Sequence, residues 1–495
     1  MMIRPFKSPT PALILGMLAA GSALIYLISL VLPYSLLEYW TRQHVSLASM
    51  IGLGIGPDVA YVLNLSMLFA LYLIALLIVR PVSHRRMWLI VIAGAVIFNL
   101  ILLFMYPYEA IDIFDYILRG RMQIIYHANP FYVFPSQFPA DPFYPYALWV
   151  HSTSAYGPLW EMLAAGLTRL AGENVILNVI AFKLAASAGY ALTTALIGWT
   201  LRRHSPALAL FGVTLFAWNP LVLISTAGNG HNDSLMVACM ALGFALLSEK
   251  RTTLAVLAQT AGALIKYFPA LFVPVILIAG LKAQPDWPGR LRFLIVTGLA
   301  CLALVLGAYL PYWQGGDILA LNRRESMFTT SIPMLIRFGL GQWIGMEAAA
   351  KIVAFSALAI TLSWVVWQMW RSWRDASPDA APRASLLIIL FYLLITCLWF
   401  QPWYGIWALA LAPLVLEERL IKGTLLLSIM AEAKLPLFYL LVYRPPYLLK
   451  TPFTDLATWL PTLGVCGVYF ALPALRRMVA RMRAARIHAD GIRLA

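Results

Sequence analysis

The feature that most constrains this chain is a succession of apolar runs, several longer than the roughly 18 residues a transmembrane helix needs. Residues 11–34, 58–79, 87–107, 174–201, 291–313 and 347–370 are runs of this kind, and charged residues gather between them. The expected fold is all-α, a polytopic transmembrane helix bundle. Composition agrees. Of 495 residues, 62% are hydrophobic and 12% charged, where a soluble domain has about half and a quarter.

The net charge of +15 would suit nucleic acid in a soluble protein. Here the basic residues cluster in short loops: Arg85 with Arg86, Arg202 with Arg203, Arg290 with Arg292, Arg371 with Arg374. That is the positive-inside pattern, so nucleic acid is not an expected partner. The pattern predicts a multi-pass protein of the plasma membrane, both termini cytoplasmic, with about 14 membrane segments. Residues 1–475 form one transmembrane domain on this reading, and 476–495 a basic cytoplasmic tail. The run 11–34 is too long for a signal-peptide core and reads as an uncleaved first span. Cys239, Cys301, Cys397 and Cys466 lie in apolar runs without metal or disulfide spacing, and read as small packing residues.

Several segments are less regular. The stretch 158–172 is too short to cross and either lies in the interface or dips in and returns. Residues 206–226 run outward and 233–248 return, joined by the turn Gly228-Asn229-Gly230-His231-Asn232-Asp233. The run 252–281 holds Lys266-Tyr267-Phe268-Pro269 at its middle. Proline ends a helix and disfavours helix in the residue before it, so two short segments are expected to meet at Lys266.

Polar chemistry gathers in two outer loops, 106–160 and 314–345. The first opens with Glu109, Asp112 and Asp115. If this segment is helical the three share a face. A carboxylate at an apolar boundary can have a raised pKa and act as a base, and two or three can hold a divalent cation. Acids also start helices and line polar loops, and spacing does not separate these readings. Lys266 is costly inside an apolar run and marks a functional site, unless it snorkels to the interface. Arg323 and Arg324 break the positive-inside pattern. A lipid phosphate explains them, and so does pairing with Asp317 or Glu325. Asp233 is a ligand-site candidate or a helix N-cap. Trp149, Tyr156, Trp160, Trp403 and Tyr404 suit a sugar-stacking wall or an interfacial aromatic belt. No P-loop, dinucleotide fingerprint, zinc-protease motif or nucleophile elbow is present in the sequence. With the polar chemistry outside, a lipid-carried donor fits better than a free nucleotide sugar.

The order of motifs carries a resemblance. Asp112-Ile113-Phe114-Asp115-Tyr116, continuing to Gly120-Arg121, is followed by Asn129-Pro130-Phe131 and Tyr156-Gly157-Pro158. Trp218-Asn219-Pro220 with the GNGHND turn and Gln401-Pro402-Trp403-Tyr404 come later. Across residues 106–420 the chain resembles bacterial GT-C glycosyltransferases, above all polyprenyl-phosphate-mannose-dependent mannosyltransferases. The resemblance implies a GT-C-like fold and an inverting enzyme that needs no cofactor or metal. It implies a polyprenyl-phosphate-linked sugar as donor, while sugar and acceptor identity do not carry over; the expected acceptor is a glycolipid or cell-envelope glycan, with membrane lipids around the protein. The active site would face outward. Asp112 falls at the general base; Asp115 stands where relatives often carry a basic or polar residue, so its part is less defined. Lys266, Arg323 and Arg324 would bind the donor phosphate. Asn129, Tyr156, His231, Asp233, Trp403 and Tyr404 would line the sugar and acceptor pocket. Two rivals stand beside this reading: a transporter or lipid flippase, for which charges should line a path through two repeated halves, and a non-catalytic scaffold for envelope assembly.

Overall fold

A computed structural model of the chain describes residues 10–42, 55–80, 83–316, 318, 327–442, 460–473 and 476. Helices dominate. Among the described residues there is no β-strand, only the isolated bridges Ser35–Met105 and Thr329–Trp399. The long apolar runs become α1 (Thr10–Val31), α2 (Ile55–Val79), α3 (Arg85–Leu102), α6 (Val175–His204), α12 (Trp287–Tyr312) and α14 (Met346–Arg374). These six are long and apolar enough to cross a membrane. Their outer surfaces stay greasy: Leu77 is 70% and Phe355 62% exposed, which is tolerable only in lipid. The protein is an all-α, membrane-embedded helix bundle.

Shorter helices pack among and beside these. They are α9 (Asp233–Ser248), α10 (Thr252–Ile265), α11 (Phe268–Lys282), α15 (Ala380–Thr396), α16 (Pro402–Val415) and, near the C-terminal end, α18 (Thr462–Pro473). The helix α17 (Glu418–Val442) packs against α16. Every residue from Gly405 to Val415 in α16 is buried, so this helix is apolar all round and central. Close backbone approach fastens the interior: a side chain at Gly189 in α6 would strike the Ser234 backbone of α9.

Three expectations change. The run 206–226 is not one straight span. It bends by 53° between α7 (Pro206–Ala217) and α8 (Pro220–Gly228), because Pro220 cannot continue a helix and Asn219 caps the new one, accepting from Leu221 and Val222 N–H. The loop 314–345 contains a helix, α13 (Ile332–Ile344), started by Ser331 accepting from Met334 N–H. Glu109 does not share a helix face with Asp112 and Asp115. The helix α4 (Asp112–Ile124) begins three residues later, and Glu109 is drawn away by Asn229, which binds both its N–H (3.3 Å) and its carboxylate (2.9 Å).

Other expectations hold. The run 252–281 breaks at Lys266, which is extended (φ −148°, ψ 126°) between α10 and α11. The segment 158–172 is a separate helix, α5 (Pro158–Ala171), of 14 residues. The bundle therefore has two distinct ends. Helices α9, α10 and α11 each carry one terminus near Asp233 and Lys266 and the other near Glu249, Arg251 or Lys282, about 20 Å away at 1.5 Å per residue. The second, basic end is laced by Arg203–Glu249 (2.7 Å), Arg383–Glu417 (2.8 Å) and Arg80–Glu418 (3.7 Å).

Candidate active site

At the other end, five chain segments meet around Lys266. The Tyr156-Gly157-Pro158 turn is seated directly on the last turn of α10. Gly157 N–H donates to Ile265 C=O (2.9 Å), and a Cβ at Gly157 would lie 2.1 Å from the Leu264 carbonyl oxygen. Only glycine permits that approach. Lys266 then reaches across to α9 and binds both carboxylate oxygens of Asp233, at 2.9 and 2.8 Å. Trp407 Nε1 also donates to Asp233 (2.6 Å). Asp233 is thus not an N-cap: it is the first residue of α9, and Asn232 before it makes no capping bond either. Nor does Lys266 snorkel, since its side chain is only 15% exposed and fully engaged. The ammonium also faces the rings of Tyr404 (4.9 Å), Trp407 (5.7 Å) and Tyr156 (5.9 Å), a cation–π cage.

His231 lies flat on Trp403, ring centroids 4.1 Å apart and planes 16° from parallel. Gly230 before it has φ +72°, which lets the turn fold back tightly. Both ring nitrogens of His231 and both amide atoms of Asn232 are buried without a protein partner. Burial first, then the Lys266 charge, push the imidazole pKa well down, so the ring is neutral near pH 7.

The two first-loop aspartates part company. Asp115 is 3% exposed and accepts from Trp149 N–H (2.9 Å) and Leu148 N–H (3.4 Å). One turn on, Arg119 donates to the Ser152 (3.0 Å) and Trp149 (3.2 Å) carbonyls. Together they clamp the 148–152 loop against α4. Asp112 is only half-buried, with the Trp149 side chain beside it. Burial raises its pKa to about 6, against the lowering charge of Lys266 and with the raising charge of Asp233. Asp115 is raised to about 7, again by burial foremost, with Arg119 opposing. The charges of Lys266 and Asp233 both act on Asp112, so it stands within electrostatic reach of that pair.

Tyr156, His231, Asp233, Lys266, Trp403 and Tyr404 are therefore brought together, with Asp112 in their electrostatic reach. Asn129 serves elsewhere: its amide donates to Tyr312 C=O (2.7 Å) and accepts from Phe131 N–H (3.1 Å), fastening the loop to the end of α12. Arg323 and Arg324 lie outside the described residues. Among the described residues no three His, Cys, Asp or Glu side chains are grouped as metal ligands.

A search of known proteins bears on this arrangement. The family model described as alpha-(1->6)-mannopyranosyltransferase, N-terminal domain, matches residues 13–282, which span the first loop, the GNGHND turn and Lys266. The chain belongs to this family. Alpha-(1->6)-mannopyranosyltransferase A of Corynebacterium glutamicum is 32% identical over 140 residues, 27% of each chain. The protein of the same name in Mycobacterium tuberculosis is 25% identical over 332 residues, 60% of this chain and 58% of that one. Alpha-(1->6)-mannopyranosyltransferase B of C. glutamicum is 24% identical over 306 residues, 53% and 48% respectively. The match thus spans between about a quarter and three-fifths of these curated relatives. No solved structure matches the chain. The resemblance read from the ordered motifs is borne out.

Sequence reasoning missed several polar residues that build or brace this region. Trp407 stacks on Tyr404 (4.4 Å), and its i,i+3 spacing from Tyr404 on a helix was the available signal. Lys434 donates to Phe400 C=O (2.9 Å) and Lys183 to the carbonyls of Leu102 (3.3 Å), Leu103 (3.2 Å) and Met105. Each is a lysine in an apolar run, the same signal that marks Lys266. Glu161 accepts from Ser154 Oγ, which in turn accepts from Tyr156 N–H (3.1 Å), and so steadies the Tyr156 turn.

Proposed function

We propose that the chain is a membrane-embedded glycosyltransferase of the plasma membrane, working on the extracytoplasmic face. It moves mannose from a polyprenyl-phosphate carrier to a hydroxyl of a glycolipid or cell-envelope glycan. The observation that carries this reading is the half-buried Asp112, raised to about 6 within electrostatic reach of an ion-paired lysine in an aromatic pocket, in a chain of the mannopyranosyltransferase family. A base with a pKa near working pH is ionised and still a useful proton acceptor.

Asp112 takes the proton of the acceptor hydroxyl. The freed oxygen attacks the anomeric carbon, and the bond from that carbon to the phosphate oxygen breaks with its electron pair on the phosphate. Attack opposite the leaving group inverts the anomeric centre. Lys266 is already neutralised by Asp233, so it steadies the leaving phosphate as a shared donor. Arg323 and Arg324 supply the unbalanced positive charge. Trp403 and Tyr404 stack on sugar faces, and the unpartnered nitrogens of His231 read sugar hydroxyls.

The test is transfer from labelled polyprenyl-phosphate mannose in membranes holding wild type or Asp112→Ala. Wild-type transfer that falls about 10²–10⁴-fold in the variant is expected. Equal transfer by both would overturn the assignment of Asp112.

A further inference from the structure

The basic end of the bundle, remote from Lys266, contains a second feature that the transfer reaction leaves unused. A cavity of about 310 Å³ lies between the last turns of α14 and the first turns of α15. Its polar wall is Gln368, Arg371, Arg374, Asp375 and Arg383.

Two of these five groups are already occupied. Arg383 is bound by Glu417 (2.8 Å). Asp375 accepts from Ser377 N–H (2.9 Å), and the charges of Arg383 and Lys282 act on its carboxylate. Lys282 itself donates to the Ser372 carbonyl (2.9 Å) and the Asp375 carbonyl. What remains is specific. Among the described residues, Arg371 and Arg374 have no carboxylate partner. Arg374 lies over the Trp370 ring at 4.1 Å, which holds its plane and leaves its N–H edge to bind something else. Gln368 is 1% exposed, and its Nε2 has no hydrogen-bond acceptor. A buried N–H without an acceptor costs free energy, so this wall is built for an occupant that brings acceptors and negative charge.

The surroundings specify what carries that charge. On α14, Leu362, Val366 and Trp367 are exposed apolar side chains leading to the cavity, and Trp370 and Trp373 follow at the interfacial level tryptophan favours. An acyl chain can lie along that face while its headgroup reaches the arginines. We propose that this cavity binds the phosphate headgroup of an anionic phospholipid in the leaflet at the basic end, with Arg371 and Arg374 pairing with the phosphate and Gln368 donating to it. Basic pockets between spans are suited to such headgroups. The site is separate from the sugar-transfer pocket, and its test does not depend on transfer.

The full chain is delipidated in neutral detergent and titrated with phosphatidylglycerol, with phosphatidylcholine, or with inorganic phosphate. Bound species are counted by native mass spectrometry. One phosphatidylglycerol is expected to bind at least about tenfold tighter than phosphatidylcholine. The double variant Arg371→Gln with Arg374→Gln should lose about tenfold or more of that affinity, and Gln368→Leu should weaken it in the same direction. Lys422→Gln, a basic residue on the same end paired with Glu418, should leave it unchanged. Failure of millimolar phosphate to displace the lipid supports the lipid source; displacement would overturn it in favour of a soluble phosphate. Equal retention of the two lipids, or wild-type binding by the double variant, would overturn the site. If the double variant does not fold, Gln368→Leu, which keeps the side-chain bulk, decides.

Discussion

Lys183 and Lys266 each stand in an apolar run, yet their ammonium groups meet different partners. Around Lys183, three main-chain carbonyls at the end of α3 take up the charge. They lie where a helix C-terminus leaves carbonyls short of donors, Leu102 having one other, Met105 N–H (3.1 Å), so this lysine seals the point where a span gives way to the first loop. Around Lys266 the partner is the Asp233 carboxylate, ringed by Tyr156, Tyr404 and Trp407. The carboxylates divide in the same way. Asp115 is spent on two backbone N–H groups, while Asp112 stays half-buried within electrostatic reach of Lys266 and Asp233. A charge bound to backbone holds geometry. A charge bound to another side chain across a pocket can change partners when substrate arrives.

That division makes predictions, of decreasing size, that can break it. Asp112→Asn should cut sugar transfer about 10²–10⁴-fold with little change in thermal unfolding. Asp115→Asn should lower the unfolding temperature as well, and equal behaviour of the two variants in both assays would erase the distinction. Asp233→Ala removes the counter-charge of a largely buried lysine and should cost about 3–5 kcal/mol; Asp233→Ala with Lys266→Met should recover part of that loss in a denaturation series. Lys183→Met keeps the bulk but leaves carbonyls unsatisfied. It should destabilise by about 1.5–3 kcal/mol, with the KM for donor unchanged in the protein that remains folded. The smallest effect is in pH. Asp112 must be ionised to accept a proton, and burial puts its pKa at about 6. Transfer should therefore be near its plateau above that value and fall about tenfold per pH unit below it. A rate flat from pH 5 to 7 would place the base elsewhere.

The spans were legible in the chain because hydropathy and helix-breaking are local. Long apolar runs predicted α1, α2, α3, α6, α12 and α14, and Pro269 predicted the break at Lys266. The ordered motifs of the first loop predicted the family. Local pattern went less far where a partner lies distant along the chain. Asp233 can read as a plain helix N-cap until Lys266, 33 residues on, and Trp407, 174 residues on, are folded against it. Asp112 and Asp115 are equivalent by spacing, and only the packing of Leu148 and Trp149 over α4 separates them. Asn129 looked like a pocket residue until the end of α12 took up its amide. Thus the sequence by itself determined a membrane-embedded helix bundle and where its polar residues gather. The tertiary structure alone decided which of those residues are spent on backbone and which face one another. Hydrophobicity acts on each segment separately, whereas a hydrogen bond or ion pair exists only once both partners have been brought within about 3 Å.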